Sequence, residues 1–271
     1  MTETGPTPPS ASFYEPLGGG RYASTPATAG PWSPGLQHAG PVSALMGRAF
    51  EHHDPVPGTR VARVTVEILQ PVPIATLEVS VRTVRPGKRI GLLEGEMTHE
   101  GRPVVRATAW RIAAAPAHLE QTDHTPPAPP LPPRSAPIKG WSGGNLGGYL
   151  SAMEWRFAEG SFGVPGPGGT WARARVPLVA GEADSPLVRT LTLADSMSGV
   201  GAQIDFTKWL VINTDLTVAL HRDPVGEWLF MRASINAGPQ GSALAEATLF
   251  DASGSVGRGL QTLLVDALPT G

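Results

Sequence analysis

The chain alternates apolar and polar positions in two stretches that lie far apart. In "RVARVTVEILQPV" (60–72), Val61, Arg63, Thr65, Glu67 and Leu69 share one face, and Ala62, Val64, Val66 and Ile68 share the other. In "WLVINTDLTVAL" (209–220), Leu210, Ile212, Leu216, Val218 and Leu220 fall together, opposite Val211, Asn213, Asp215 and Thr217. A two-residue period predicts long strands with one packed and one more polar surface. Ahead of each strand lies a stretch that suits a helix, "GPVSALMGRAFEHH" (40–53) and "SPLVRTLTLADSMSG" (185–199). Behind each comes a hairpin pattern, "LLEGEMTHEGRPVVRATAWRI" (92–112) turning at Gly101 and "LAEATLFDASGSVGRGLQTLL" (244–264) turning at Gly254.

Each half therefore reads as helix, long strand, strand and hairpin, an α+β layer arrangement with a sheet wrapped over one helix. The repeat unit is far longer than a solenoid repeat, which points to a duplicated domain. Aligning Gly101 with Gly254 sets Gln261 opposite Thr108, and aligning Pro73 with Pro224 sets Ala44 opposite Asp195 and Val66 opposite Thr217. The first half lacks the acid and the strand hydroxyl, so one active centre per chain is expected. Between the halves, "TPPAPPLPPRSAP" (125–137) cannot form a helix or a central strand and reads as an extended spacer.

Composition narrows the function. The net charge is −2 over 271 residues, with no basic stripe, which argues against a nucleic-acid partner. The absence of cysteine removes disulfide and thiolate chemistry and fits a reducing compartment. The N-terminus lacks the charged-then-apolar order of a signal peptide, and no run of about 18 apolar residues predicts a membrane span. A cytoplasmic protein is the expectation.

Several residues invite chemistry. "LADSMSGVGAQIDF" (193–206) sets one carboxylate, Asp195, in an apolar helical stretch, where an acid is costly to bury without a purpose. His38 precedes a helix start, a place that more often makes a histidine structural. His52, His53 and Asp54 resemble metal ligands, but histidine at a helix end is favoured by the helix dipole, so no metal is expected. "GVPGPGG" (163–169) has no Lys and no strand–helix frame for a phosphate loop. The one G-x-S-x-G match, "GWSGG" (140–144), follows the Pro-rich run rather than a strand pattern, so the strand–turn–helix frame of a serine hydrolase is not expected there.

In "MEWRFAEGSF", "RARVPLVAGE", "LTLADSMSGVGAQIDFTKWLVINTDLTVALHR" and "VGRGLQTLLV", which span most of 153–265, the chain resembles the double hotdog acyl-CoA thioesterases of the acyl-CoA thioesterase II-like group and their actinobacterial relatives. The first half fits more loosely, through "LQHAGPVSALMGRAF". The resemblance implies a flexible N-terminus (1–12), an N-terminal hotdog (13–113), a Pro-rich linker (114–140) and a C-terminal hotdog (141–267) that carries the catalytic residues. It implies hydrolysis of an acyl-CoA without a cofactor, with a carboxylate, a strand hydroxyl and an amide holding the attacking water. Those roles fall on Asp195, Thr217 and Gln261. The hotdog plan further offers backbone N–H groups at Gly40 or Val42 for the oxyanion. The chemistry is coherent: burial raises a carboxylate toward the working pH, and a hydroxyl and an amide can fix one water. The parity of Thr217 is opposite to the most apolar face, so its site lies on the less apolar side or past a bulge. Two other classes stay open, a hotdog dehydratase or hydratase and a non-catalytic acyl-CoA-binding protein. A homo-oligomer is a further expectation, since closed symmetric assemblies are common.

Overall fold

The two alternating stretches become the middle of one antiparallel sheet. The computed structural model describes residues 10–115, 119–120, 122–134 and 144–268. The first half comprises β1 (Tyr14–Gly18), β2 (Arg21–Ser24), α1 (Ala39–His52), β3 (Thr59–Ile68), β4 (Thr76–Arg85), β5 (Ile90–His99) and β6 (Arg102–Ala113). The second comprises α2 (Tyr149–Ala152), β7 (Met153–Glu159), β8 (Gly168–Ala174), α3 (Pro186–Ala194), α4 (Met197–Val200), β9 (Trp209–Asn213), β10 (Asp215–Leu220), β11 (Leu229–Ala237), β12 (Ser242–Asp251) and β13 (Gly254–Ala267).

The strand order is β1-β2-β4-β5-β6-β3-β10-β13-β12-β11-β8-β7, with β9 also pairing β13. Read from either end, the order repeats the same plan. The halves join edge to edge through β3 and β10, which pairs two strand edges that would otherwise stay open. The tight turns align at a shift of 152, since His99 pairs Arg102 and Asp251 pairs Gly254. That shift sets Ala109, not Thr108, opposite Gln261. It sets Thr65, not Val66, opposite Thr217. Thr65 and Thr217 also face each other across the central pair, and their hydroxyls meet at 3.1 Å.

Two sequence expectations need correction here. The helix expected over 185–199 is broken: α3 stops at Ala194, α4 begins at Met197, and Asp195 and Ser196 form the joint. The strand expected over 209–220 is also broken. Asn213 lies opposite Leu263 and Thr217 opposite Leu260, so four steps on one strand meet three on the other. The extra residue is a bulge, and it switches the inward face. Val211 points into the core before it, and Leu216, Val218 and Leu220 point in after it, while Ile212 is exposed.

The helices pack inside the curve of the sheet. Helix α1 contacts β3, β4, β5 and β6, and α4 contacts β8, β11 and β12. Helices α1 and α3 also pack on each other, antiparallel. Gly40 lies against the Thr192 carbonyl at one end, Gly47 against Leu191 and Leu187 in the middle, and Glu51 accepts from the Ser185 hydroxyl at 2.6 Å at the other. A side chain at Gly40 or Gly47 would collide with α3, so these glycines set the closeness of the pair.

The Pro-rich segment is more than a spacer where it is described. Pro129 O accepts from Trp171 Nε1 at 3.0 Å, and Pro132 O accepts from Arg156 at 3.0 Å. Ala128 packs with Trp228 on a small cluster of Trp171, Phe230 and Phe250. Proline keeps its carbonyl acceptor while lacking a donor, so an extended Pro run suits such a strap. Residues 1–9 of the expected flexible N-terminus, and 135–143 around the linker's end, lie outside the described residues. Ser12 is already buried, and Phe13 N–H bonds Pro177 O.

Candidate active site

Asp195 owes its placement to a helix that ends early. In a regular helix the Ser196 N–H would bond Thr192 O, four residues back. It bonds Leu193 O instead, and Thr192 O accepts from the Tyr149 hydroxyl at 2.8 Å. The joint turns the Asp195 side chain toward the start of α1. That start is capped by His38, whose Nδ1 accepts from Gly40 N–H at 3.0 Å. A histidine in the extended cap conformation thus takes over one N–H that the helix leaves unpaired.

The Asp195 side chain is 4% exposed and sits among donors. Its Oδ1 accepts from Gln261 Nε2 at 2.7 Å and from Asn213 Nδ2 at 2.8 Å. The backbone N–H groups of Ala39 and Gly40 also reach the carboxylate. Its Oδ2 lies 3.0 Å from His38 Nδ1. Burial pushes the carboxyl up from 3.8 to about 7, against the pull of these donors. Burial drives His38 down from 6.5 to about 3. The imidazole is therefore neutral, and the carboxyl is poised to exchange a proton near neutrality.

Gln261 is fully buried on β13. Its amide nitrogen is spent on Asp195, and its Oε1 has no hydrogen-bond partner among the described residues. A buried carbonyl oxygen without a donor is costly, so its place beside a carboxylate marks a position for an O–H or N–H group.

The structure brings Asp195 and Gln261 together and leaves Thr217 apart. Thr217 follows the bulge, so its hydroxyl turns to the outer face and meets Thr65 rather than Asp195. Asn213, before the bulge, occupies the position expected of Thr217. The oxyanion donors are committed elsewhere: Gly40 N–H serves His38 and Asp195, and Val42 N–H closes the first turn of α1 onto the cap residue. Sequence reasoning missed Asn213 and read His38 as structural only. The signal for Asn213 was a lone amide in the apolar run "WLVIN"; the signal for His38 was its place just before a glycine-containing helix start. In the other half, the same shift of 152 puts Val61 opposite Asn213 and Ala109 opposite Gln261, so both amides belong to the second half alone. Among the described residues, no group of three or more His, Asp or Glu is placed to hold a metal ion.

The sequence matches the family described as acyl-CoA thioesterase N-terminal domain over residues 28–112, and acyl-CoA thioesterase C-terminal domain over residues 122–265. No curated protein matches it. Among solved structures, it is similar to an acyl-CoA thioesterase II from Mycobacterium marinum, with a TM-score of 0.65 and 18% identity over 95% of this chain and 96% of that one. It is similar to a protein of unknown function with the hot dog fold from Alicyclobacillus acidocaldarius, with a TM-score of 0.71 and 15% identity over 94% and 96%. A tesB protein from Mycobacterium avium subspecies paratuberculosis gives a TM-score of 0.63 and 19% identity over 93% and 96%. At these identities the structural likeness establishes the fold, which is of the hotdog type. No helix among the described residues is long and apolar enough to cross a membrane.

Proposed function

Because the chain belongs to the acyl-CoA thioesterase family and is a thioester hydrolase, we propose that it hydrolyses acyl-CoA at a single centre built on Asp195, Asn213, Gln261 and His38. We read residues 13–113 and 141–267 as two tandem hotdog units, with the centre at the junction of their helices.

The observation that carries the reading is the buried Asp195 carboxylate, gripped by Gln261 Nε2 and Asn213 Nδ2, beside a Gln261 Oε1 that has no partner among the described residues. A water that donates to Gln261 Oε1 stands next to the carboxylate. Asp195 takes a proton from that water as the oxygen attacks the thioester carbonyl. The new C–O bond gives a tetrahedral intermediate, and collapse breaks the C–S bond. The proton held by Asp195 passes to the departing thiolate, so acid and CoA leave and the carboxylate is restored. A base whose pKa lies near the operating pH suits this exchange and contributes roughly 10²–10⁴ in rate. Neutral His38 faces the same carboxyl with Nδ1 at 3.0 Å; its single lone pair, which Gly40 N–H otherwise occupies, takes the Asp195 O–H only as Gly40 N–H shifts to the carboxyl that it also reaches.

The test is a panel of acyl-CoAs of increasing chain length, with free thiol release followed alongside binding. Hydrolysis of at least one length, abolished in Asp195→Asn with binding kept, supports the reading. Tight binding without hydrolysis at any length rules it out.

A further inference from the structure

Tyr149 touches both sides of the proposed centre without touching the carboxylate itself. Its ring lies flat on the His38 ring, with centroids 3.7 Å apart and planes 11° from parallel. Its hydroxyl donates to Thr192 O at 2.8 Å and lies 2.7 Å from Ser196 Oγ. Those two groups stand on either side of Asp195 in the joint between α3 and α4. One fully buried side chain thus grips the cap residue of α1 and the helix break of α3.

Its own anchoring is equally specific. Tyr149 N–H bonds Ala29 O at 2.9 Å, and the neighbouring Thr28 O takes the His38 N–H at 2.8 Å. Gly148 precedes it at φ 58, and a side chain there would strike Ala29. Phe13 and Trp155 wall the ring, with centroids at 6.4 and 6.1 Å. The short helix α2 has no cap of its own. What it delivers is a tyrosine held at its backbone, its ring and its hydroxyl.

We propose that Tyr149 is a positioning residue of the thioester hydrolase, which fixes the His38 ring and the α3–α4 joint relative to each other so that Asp195 meets Gln261, Asn213 and His38 at once. The buried hydroxyl satisfies the Thr192 carbonyl that the broken helix leaves without its N–H. Burial also holds the phenol well above its ordinary pKa, so it stays a donor across the working range. Without that donor, Thr192 O would reclaim the Ser196 N–H, and the joint would relax toward continuous helix. Small errors in the placement of a base are expensive in the chemical step and cheap in substrate binding.

This inference rests on the proposed role of Asp195, and the experiment separates the two. Tyr149→Phe keeps the ring stack and removes the hydroxyl. Expected is a fall in kcat of about tenfold, the size of one buried hydrogen bond, with KM within about twofold. Ser196→Ala should cost less, and the double variant should fall short of the product of the two, since both act on one joint. Tyr149→Leu removes the stack as well. It should deepen the kcat loss and abolish the upfield ring-current displacement of the His38 ring protons, which Tyr149→Phe should retain. Wild-type kcat in folded Tyr149→Phe, while Asp195→Asn is inactive, overturns this inference alone. A loss of melting temperature with unchanged kcat also overturns it, because it assigns Tyr149 to stability only. If Tyr149→Leu fails to fold, Tyr149→Phe and Ser196→Ala still decide. Full activity in Asp195→Asn overturns the underlying reading instead.

Discussion

Replacing Asp195 by Asn should stabilise the protein at alkaline pH while removing its activity. The wild-type carboxyl titrates near 7 in the folded chain against an ordinary value of 3.8. An acid whose folded pKa is raised adds stability that is complete below about pH 4 and is lost as pH climbs through 7. The loss amounts to at most about 4 kcal/mol, from roughly 1.36 kcal/mol for each unit of displacement. Asparagine carries no such titration. Its amide oxygen can accept from Gln261 and Asn213, and its NH2 can face His38 Nδ1, so it copies the protonated acid. His38 works in the opposite direction. Its folded pKa of about 3 gives stability that is present above about 6.5 and lost on acidification. That contribution is common to both proteins and largely cancels in the difference. The variant should therefore melt close to wild type at pH 4. At pH 8 it should melt higher by up to about 8 °C, at roughly 2 °C per kcal/mol for a chain of this size. Thermal melts by circular dichroism at pH 4, 6 and 8 make the measurement. A variant less stable than wild type at pH 8, or a difference that does not change with pH, refutes the placement of an ionisable buried acid.

The kcat of wild type should fall as pH drops through about 7, since protonated Asp195 cannot accept a proton from water; a flat profile between pH 5 and 8 counts against the base. Gln261→Leu and Asn213→Leu each remove a donor that holds the carboxylate down, so each should move that acid limb to higher pH as well as lower kcat, read from pH–rate profiles. Thr217→Val should leave kcat within about twofold of wild type, because its hydroxyl faces Thr65 on the outer surface and ordinary surface substitutions cost little. His38→Asn preserves a good helix cap but gives up the stack on Tyr149, so it should lower kcat and cost about 1–2 kcal/mol of stability, read from kinetics and thermal melts.

Asp195 stood out in the sequence as one acid in an apolar helical stretch, while Gln261 came only from the family resemblance; what the structure adds is that the two side chains meet at 2.7 Å. The helix–strand–hairpin plan of each half was legible from periodicity, and the placement of the Pro-rich segment between the halves from composition. A period-two pattern carries no mark for a bulge. Across 209–220 the inward face changes from Val211 to Leu216, and the single extra residue moved the expected hydroxyl to the wrong side and hid Asn213. The break at Asp195 was hidden for a similar reason. "TLADSMSG" is adequate helix by propensity, and what ends the helix is the Tyr149 hydroxyl, more than forty residues earlier in the chain. His38 acts through a cap and a cross-half contact, neither of which leaves a periodic trace. The strap role of the Pro run depends on Trp171 and Arg156 finding its carbonyls, a tertiary fact that composition does not encode.

The most direct test of the central claim is single-turnover hydrolysis by wild type and Asp195→Asn, at pH 8 and with enzyme in excess over the best acyl-CoA of the panel. Under these conditions product release is silent and only bond cleavage is read. The account predicts a rate constant for the variant roughly 10²–10⁴ below wild type, with the bound fraction of substrate unchanged. Equal rate constants for the two proteins would contradict it.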